Sequence, residues 1–290
     1  MSDRAKALGV GVAALVPLLI VGIVLLRSGS DALQAQPGPT APPEAIVWAV
    51  GDGADAESDA VRLSRFVARR RVDRFIYLGD VYGDPADWAT VYGRTYGNLA
   101  ARTAPTPGNH EWPNNKGAYF DYWQRVRGGP MPTHYSFELG GWKLLSLNSE
   151  EPTGPGSPQQ RWLTEQVAGP GDCRLAFWHT PRFSGSIDRG DEVRLDPLWS
   201  TLRGRARIVL NGHEHNMQRM KPRDGITQII SGAGGHSHYP VDRRDPRFAF
   251  LNDSDYAVLR LTLRPGEAEY AFVDDDGEIL DSGRVECRVS

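Results

Sequence analysis

Between residues 45 and 235, short apolar runs stop abruptly at polar loops, and this repeated change of character constrains the fold more than any other feature. AIVWAV (45–50) gives way to Gly51 and Asp52, and RFIYL (74–78) to Gly79 and Asp80. LAFW (175–178) precedes His179, RIVL (207–210) precedes NGHEH (211–215), and TQII (227–230) precedes SGAGG (231–235). Runs of β-branched and aromatic residues without polar alternation suit strands covered on both faces. Helices fit between them. Residues 58–71 bring Val61, Phe66 and Val67 near one face and close on three arginines, where the helix dipole favours cations. Ser157 and Pro158 open another helix as N-cap and first residue, with Trp162, Leu163 and Val167 inward and Gly169 at its stop. Alternating strands and helices predict an α/β sheet, whose ligands lie beyond the carboxyl ends of its strands. The Asp, His and Asn residues fall at those ends.

Taken singly these residues say little. Asp52 and Asp80 are ordinary turn residues after glycine. Asn109 and His110 lie in PTPGNHEW (105–112), where Pro-Gly-Asn favours a tight turn. His179 alone fits a hydrogen-bonded core histidine, and His213 and His215 fit a solvated loop. The last two carry more weight as a pair. In an extended segment residues i and i+2 point the same way, with Cα atoms about 6.5–7 Å apart. Two imidazoles then converge on one metal or serve two neighbouring ones, while Glu214 points away. Imidazole suits Zn, Fe, Mn or Ni, and carboxylates complete such sites.

The N-terminal residues have another character. Ala7 to Leu26 is a run of 20 residues without a charge, long enough for a bilayer core of ~30 Å at ~1.5 Å per residue. A cleaved signal has a shorter apolar region of about 7–15 residues. The expectation is therefore a transmembrane anchor within residues 1–27, with the domain outside the cell membrane; cleavage gives a secreted protein. Residues 28–44, rich in proline, form a tether, and residues 45–290 form one domain. Cys173 and Cys287 permit one disulfide in an exported domain, or stand as two buried thiols. A net charge of −3 lacks the basic excess of a nucleic-acid footprint, so no such partner is expected.

The pattern GD…GD…GNHE…H…GHxH, carried by Asp52, Asp80, Gly108 to Glu111, His179 and Gly212 to His215, resembles the calcineurin-like metallophosphoesterases over residues 45–235. Gly-Asn-His-Glu points to their purple-acid-phosphatase-like branch. The resemblance implies a sandwich of two β-sheets flanked by helices. It implies two divalent or trivalent metal ions (Fe, Zn or Mn), with Asp80 bridging both. Asp52 and His215 would hold the first; Asn109, His179 and His213 would hold the second. His110 would be the general acid beside the leaving oxygen. The implied activity is hydrolysis of small phosphomonoesters with a metal-bound hydroxide as nucleophile. The alternatives are a phosphodiesterase acting on nucleotides or lipid headgroups, and an inactive surface binding protein of the same fold.

Two positions depart from the family pattern. Purple acid phosphatases carry an iron-ligating Tyr three residues after the second Asp, whereas Tyr82 lies two residues after Asp80. A shift of one residue reverses direction in an extended chain, so Tyr82 ligates only where the loop compensates. Ala54 stands where many members have a histidine, which leaves the first metal fewer protein ligands. Arg182 reaches either a phosphate oxygen or a surface ion pair. His236 and His238 rim the pocket or sit in simple turns. His134 is structural, and the aromatic stretch 119–123 packs the core. Residues after about 245 finish the second sheet, with a hairpin turn at 274–277.

Overall fold

A computed structural model describes residues 44–55 and 59–289. The expected anchor and nearly all of the tether lie outside the described residues. So does Ser58, the expected start of the first helix. Among the described residues, no helix is long and apolar enough to cross a membrane.

In chain order the first strands are β1 (Ala45–Val50), β2 (Arg74–Tyr77), β3 (Thr103–Pro105), β4 (Tyr135–Leu139), β5 (Trp142–Ser146), β6 (Arg174–Phe177) and β7 (Ile208–Asn211). They are followed by β8 (Met217–Met220), β9 (Thr227–Ser231), β10 (Phe248–Asn252), β11 (Ala257–Arg264), β12 (Glu267–Asp274) and β13 (Ile279–Glu286). The helices are α1 (Asp59–Ala68), α2 (Trp88–Thr95), α3 (Lys116–Arg127), α4 (Pro158–Gln166) and α5 (Asp196–Leu202). One sheet runs β13-β12-β11-β1-β2-β3, and the other runs β10-β8-β9-β7-β6-β5-β4. β1, β2 and β3 are parallel to one another, as are β5, β6, β7 and β9.

Alternation along the strands explains the layers. Val47 and Ala49 join Ile76, Phe177, Leu210 and Leu259 in a core between the sheets, while Trp48 and Val50 face outward under Leu63 and Phe66 of α1. Leu145, Trp178 and Val209 of the second sheet turn their outer face to Leu163 of α4 and Trp199 of α5. Both sheets are thus covered on both sides at their parallel strands, as the unbroken apolar runs there require.

Two expectations change in detail. Helix α1 ends at Ala68, so its three arginines lie past its end. Arg70 still serves the helix terminus, donating to the Phe66 carbonyl at 2.7 Å and lying over the Phe66 ring. The residues after 245 divide between the sheets. Only β10 joins the second, because β11 pairs antiparallel with β1 (Ala45↔Leu263) and draws β12 and β13 after it. The 274–277 turn forms as expected, with Asp274 Oδ1 accepting from the amides of Asp276, Gly277 and Glu278. Ser157 caps α4, its side chain accepting from Gln160 N at 3.2 Å. Cys173 and Cys287 form a disulfide that ties β6 to the segment after β13.

Candidate metal centre

Loops from both sheets meet where the parallel strands end. The amide of Asp52, after β1, donates to the Gly79 carbonyl after β2 (3.1 Å), and Gly212 N, after β7, donates to the His179 carbonyl after β6 (3.0 Å). These loops touch too closely for side chains between them. A Cβ on Gly108 would lie 2.1 Å from Asp80 Oδ1 and 2.8 Å from the His179 ring. A Cβ on Gly53 would lie 2.1 Å from the Gly234 carbonyl oxygen.

The backbone bends sharply here. Asp52 (φ 57°), Asp80 (φ 65°), His213 (φ 74°) and His215 (φ 48°) all adopt the left-handed region. Non-glycine residues rarely do so, and such residues concentrate at functional sites. The expected extended geometry of the GHxH segment is therefore corrected. β7 stops at Asn211, and two left-handed residues carry both imidazoles inward. Glu214 between them is buried rather than solvated.

The two carboxylates are held alike. Asp80 Oδ1 accepts from His110 N (2.9 Å), leaving Oδ2 toward His179 Nε2 (3.2 Å) and Tyr82 Oη (3.5 Å). Asp52 Oδ2 accepts from His213 N (2.7 Å), leaving Oδ1 toward Tyr82 Oη (3.1 Å) and His215 Nε2 (3.6 Å). Two imidazoles are oriented in the same way. His179 Nδ1 donates to the Leu78 carbonyl and His215 Nδ1 to the Ser237 carbonyl, each at 2.7 Å. A carbonyl only accepts, so both rings turn Nε2 into the pocket, as ligand histidines do.

Two groups of donors result. Asp80, His179 and His213 offer ligand atoms that all lie within 4.8 Å of one another. Asn109 Oδ1 and His213 Nδ1 are each 3.1 Å from His179 Nε2. In the second group Tyr82 Oη is 2.7 Å from His215 Nε2. Ligands around a tetrahedral ion at ~2.0–2.1 Å sit roughly 3.3 Å apart, so the spacing in both groups fits a cation. The only Asp80 oxygen facing both groups is Oδ2.

Electrostatics agree. Burial opposes a charge on His179, yet the carboxylates of Asp80 and Asp52 outweigh it and push its pKa up to about 10. Burial acts on Asp80 in the opposite sense, but the adjacent His179 holds its carboxyl below the usual range. Burial raises the Asp52 carboxyl well above its ordinary value. Burial also lowers His213 to about 2, helped by His179 and Arg189, and His215 to about 3. Two neutral imidazoles beside buried carboxylates are suited to a cation, which would take the place of the proton on His179.

His110 lies at the mouth, with 45% of its side chain exposed and Nε2 4.0 Å from Asp80 Oδ2. Arg182 is not in the site. It is held by Asp196 (Nε to Oδ1, 2.5 Å) and Asp191 (3.7 Å), the ion-pair alternative. Sequence reasoning placed Glu111 in the motif without a role and missed Tyr239 and Arg189. Glu111, buried, accepts from Asp80 N (3.0 Å), Val81 N (2.8 Å), Gly108 N (2.7 Å) and Trp88 Nε1 (3.0 Å), which joins the two motif loops. Tyr239 stacks on His215 with ring centroids 3.8 Å apart. Arg189 donates to His213 Nε2 at 2.8 Å. The adjacency of Glu111 to Asn109-His110 was a signal for the first; loop residues at 189 and 239 carry no sequence signature.

The family model described as calcineurin-like phosphoesterase matches residues 46–217, more than half of the chain. Among solved structures, a purple acid phosphatase from yellow lupin (Lupinus luteus) superposes with a TM-score of 0.71 at 17% identity, covering 87% of this chain and 55% of its own. GAP50 of Plasmodium, described as the anchor in the inner membrane complex, gives a TM-score of 0.68 at 17% identity, with 84% and 89% covered. A dimetal phosphatase from Danio rerio gives 0.59 at 13% identity, with 85% and 99% covered. At these identities the likeness is one of fold. This chain spans about half the length of the lupin enzyme. No curated protein matches the sequence.

Proposed function

Since the chain belongs to the calcineurin-like phosphoesterase family, we propose that it hydrolyses small phosphomonoesters at a dinuclear metal centre of Fe, Zn or Mn. The observation that carries this reading is the convergence of Asp52, Asp80, Asn109, His179, His213 and His215 on one pocket with donor spacings suited to cations. Asp80, whose Oδ2 faces both groups, would be shared between the ions. Asp52, His215 and the Tyr82 hydroxyl would hold one ion with it, and Asn109, His179 and His213 the other. When bound, such a pair lowers the pKa of a shared water and offsets phosphoryl charge during in-line attack.

The protein groups do the rest. The carbonyls of Leu78 and Ser237 keep the His179 and His215 rings aimed inward, so no reorientation is needed when substrate arrives. The backbone amides of His110 and His213 fix one oxygen of each carboxylate and turn the other toward the pocket. His110, at the open mouth and edge-on to Tyr82 with centroids 4.6 Å apart, gives a proton to the departing oxygen. We further propose that Ala7 to Leu26 anchors the chain with this domain outside the cell. The uncharged run supports that placement, and the Cys173–Cys287 disulfide suits an oxidising compartment.

The test is hydrolysis of p-nitrophenyl phosphate and its bis-ester by the full-length chain, stripped and resupplied with Mn, Zn or Fe. Metal-dependent turnover of the monoester supports the proposal. Preference for the bis-ester selects the phosphodiesterase reading. Metal uptake without turnover on either ester supports a non-catalytic role, such as the anchoring function after which the Plasmodium relative is described.

A further inference from the structure

The second sheet carries on its outer face a cavity of about 310 Å³ that shares no lining residue with the candidate metal centre. One wall is the hairpin between β8 and β9, closed by paired main-chain hydrogen bonds between Arg223 and Ile226 (3.0 and 2.9 Å). Phe183 after β6, Trp199 of α5 and Pro246 before β10 face it. Its apolar lining of Phe183, Trp199, Met220 and Ile226 is buried. The polar groups among that lining are already satisfied: Gln228 exchanges hydrogen bonds with the main chain of Phe183, and the Trp199 indole donates to Asp224. Concave apolar sites of ~300–1,000 Å³ with a few polar groups are where small molecules bind.

Every charged residue that lines this cavity is a cation: Lys221, Arg223 and Arg247. Arg247 is neutralised by Asp245 and Asp191. Lys221 Nζ donates to the Pro246 carbonyl at 2.6 Å and, among the described residues, pairs with no carboxylate. Arg223 is less engaged still. Its guanidinium lies 4.4 Å from the centroid of the Phe183 ring, a contact made through its flat face. The N–H groups of a guanidinium lie in its plane and point away from such a stack. Among the described residues, none of those of Arg223 is given to an acceptor. The acids that could answer it are committed elsewhere. Asp224 holds Trp199 Nε1 (2.9 Å) and Arg203 (3.4 Å), while Asp196, which feels the charge of Arg223, is bonded to Arg182 (2.5 Å).

A free planar fork at the rim of an apolar floor calls for a carboxylate on an apolar body. The walls favour an aromatic body, because Phe183 and Trp199 stand edge to face at 4.9 Å and offer the ring contacts that aromatic groups prefer. The volume, at the lower end of the range for small-molecule sites, suits one or two rings and not the acyl chains of a lipid. We infer that this cavity binds a small aryl carboxylate, with the ring against Trp199 and Met220 and the carboxylate on the edge of Arg223 beside Lys221. An occupant there touches both segments that leave the candidate centre, since Phe183 lies four residues past His179 and Met220 five past His215. The site uses no metal, so it stands apart from the dinuclear reading.

The test is calorimetric titration of the full-length chain with three probes on one naphthalene body: 2-naphthoate, the neutral 2-naphthylmethanol and the cationic 2-naphthylmethylamine. Naphthoate binds tightest, the alcohol about 10-fold more weakly, the worth of a hydrogen bond to a charged group, and the amine more weakly again. Arg223 is exposed at a hairpin tip, so its replacement leaves the fold intact. Arg223→Gln weakens naphthoate by roughly 10-fold and leaves the alcohol within about 2-fold. Arg223→Lys loses less, since charge remains without the fork, and Arg223→Glu reverses the order of naphthoate and amine. A carboxylate also binds metal ions, so each titration is repeated on stripped protein, where naphthoate affinity is unchanged. Loss of naphthoate binding on stripping assigns it to the metal centre and overturns the proposal. Equal affinity for naphthoate and alcohol overturns the anion site and leaves an apolar cavity. Naphthoate affinity that is the same in wild type, Arg223→Gln and Arg223→Glu places the ligand elsewhere and overturns it too, as does wild type that binds no naphthoate. None of these outcomes decides whether the chain holds two ions, which metal titration settles separately.

Discussion

The two halves of the candidate centre are built from different materials. Around Asn109, His179 and His213 the donors are amide and imidazole, and His179 is wholly buried and fixed by a main-chain carbonyl. Around Asp52 and His215 the donors are a carboxylate, an imidazole and a phenol, held between aromatic faces. Tyr82 stacks on His236, and His215 stacks on Tyr239, each pair at 3.8 Å. The second half has Ala54 rather than a histidine, and the Tyr82 hydroxyl lies among its donors, 2.7 Å from His215 Nε2. Hydrogen bonds to main-chain carbonyls orient His179 and His215 alike, and stacking among loop residues is added in the second half. Asp80 Oδ2 alone belongs to both.

The largest expected effect follows from that sharing. Asp80→Asn removes the common ligand, so both ions are lost and turnover falls by on the order of 10³-fold or more, given the several kcal/mol that such ions contribute. Asp52→Asn touches one half and leaves an ion bound by Asn109, His179 and His213. Elemental analysis of the purified variants checks this. If each loses a single ion, Asp80 is no bridge and the halves are independent.

Next in size is Glu111→Gln. Four N–H donors converge on this carboxylate and tie the Asp80 loop to the Gly108 loop. An amide cannot accept all four, and its own N–H₂ faces donors. Breaking a buried charged network of this kind costs about 2–4 kcal/mol, visible as a lower denaturant midpoint. Metal uptake should suffer first at Asn109 and His179, the half that this network supports. Equal loss from both halves would remove the distinction between them.

How much of this the sequence disclosed follows the same division. The strand ends were legible because a parallel strand buried on both faces has an unbroken apolar run, and its first polar residue marks the edge. Asp52, Asp80 and His179 were found in this way, and Asn109 through the Gly-Asn-His-Glu motif. The direction of the side chains was not legible. Asp80 at φ 65° and its neighbour Gly79 at φ 95° break the two-residue alternation, and this lets Tyr82 turn to the side that an extended chain would deny it. His213 and His215 converge through the same left-handed geometry, which no pattern of residue types announces. Arg189, His236 and Tyr239 come from loops whose position depends on contacts distant in sequence. The membership of β11 in the first sheet depends on pairing across more than two hundred residues.

Tyr82→Phe tests the phenol directly. It removes one oxygen and keeps the ring, so stability should change little. If the hydroxyl is a ligand, ion affinity in the Asp52 half drops by roughly 10-fold, comparable to losing a supporting contact at a metal site, and any visible absorption of an iron-loaded protein disappears. Full retention of affinity and of the spectrum would make Tyr82 a hydrogen-bonding neighbour of Asp52 and His215 only.

The smallest effect distinguishes stacking from hydrogen bonding as the source of order in that half. His236 lies face to face with Tyr82, 13° from coplanar, and its Nδ1 is 2.5 Å from Asp55 Oδ2. His236→Phe keeps the stack and loses the polar contact; His236→Ala loses both. If stacking positions the phenol, the Phe variant keeps metal affinity within about 3-fold while the Ala variant loses more, since an aromatic pair is worth ~0.5–1.5 kcal/mol beyond its buried area. If both variants fall equally, the contact with Asp55 holds the ring, and stacking adds nothing to the hydrogen bonds that order the Asp52 half. A loss confined to the Ala variant would mean that flat faces do for Tyr82 what the Leu78 carbonyl does for His179.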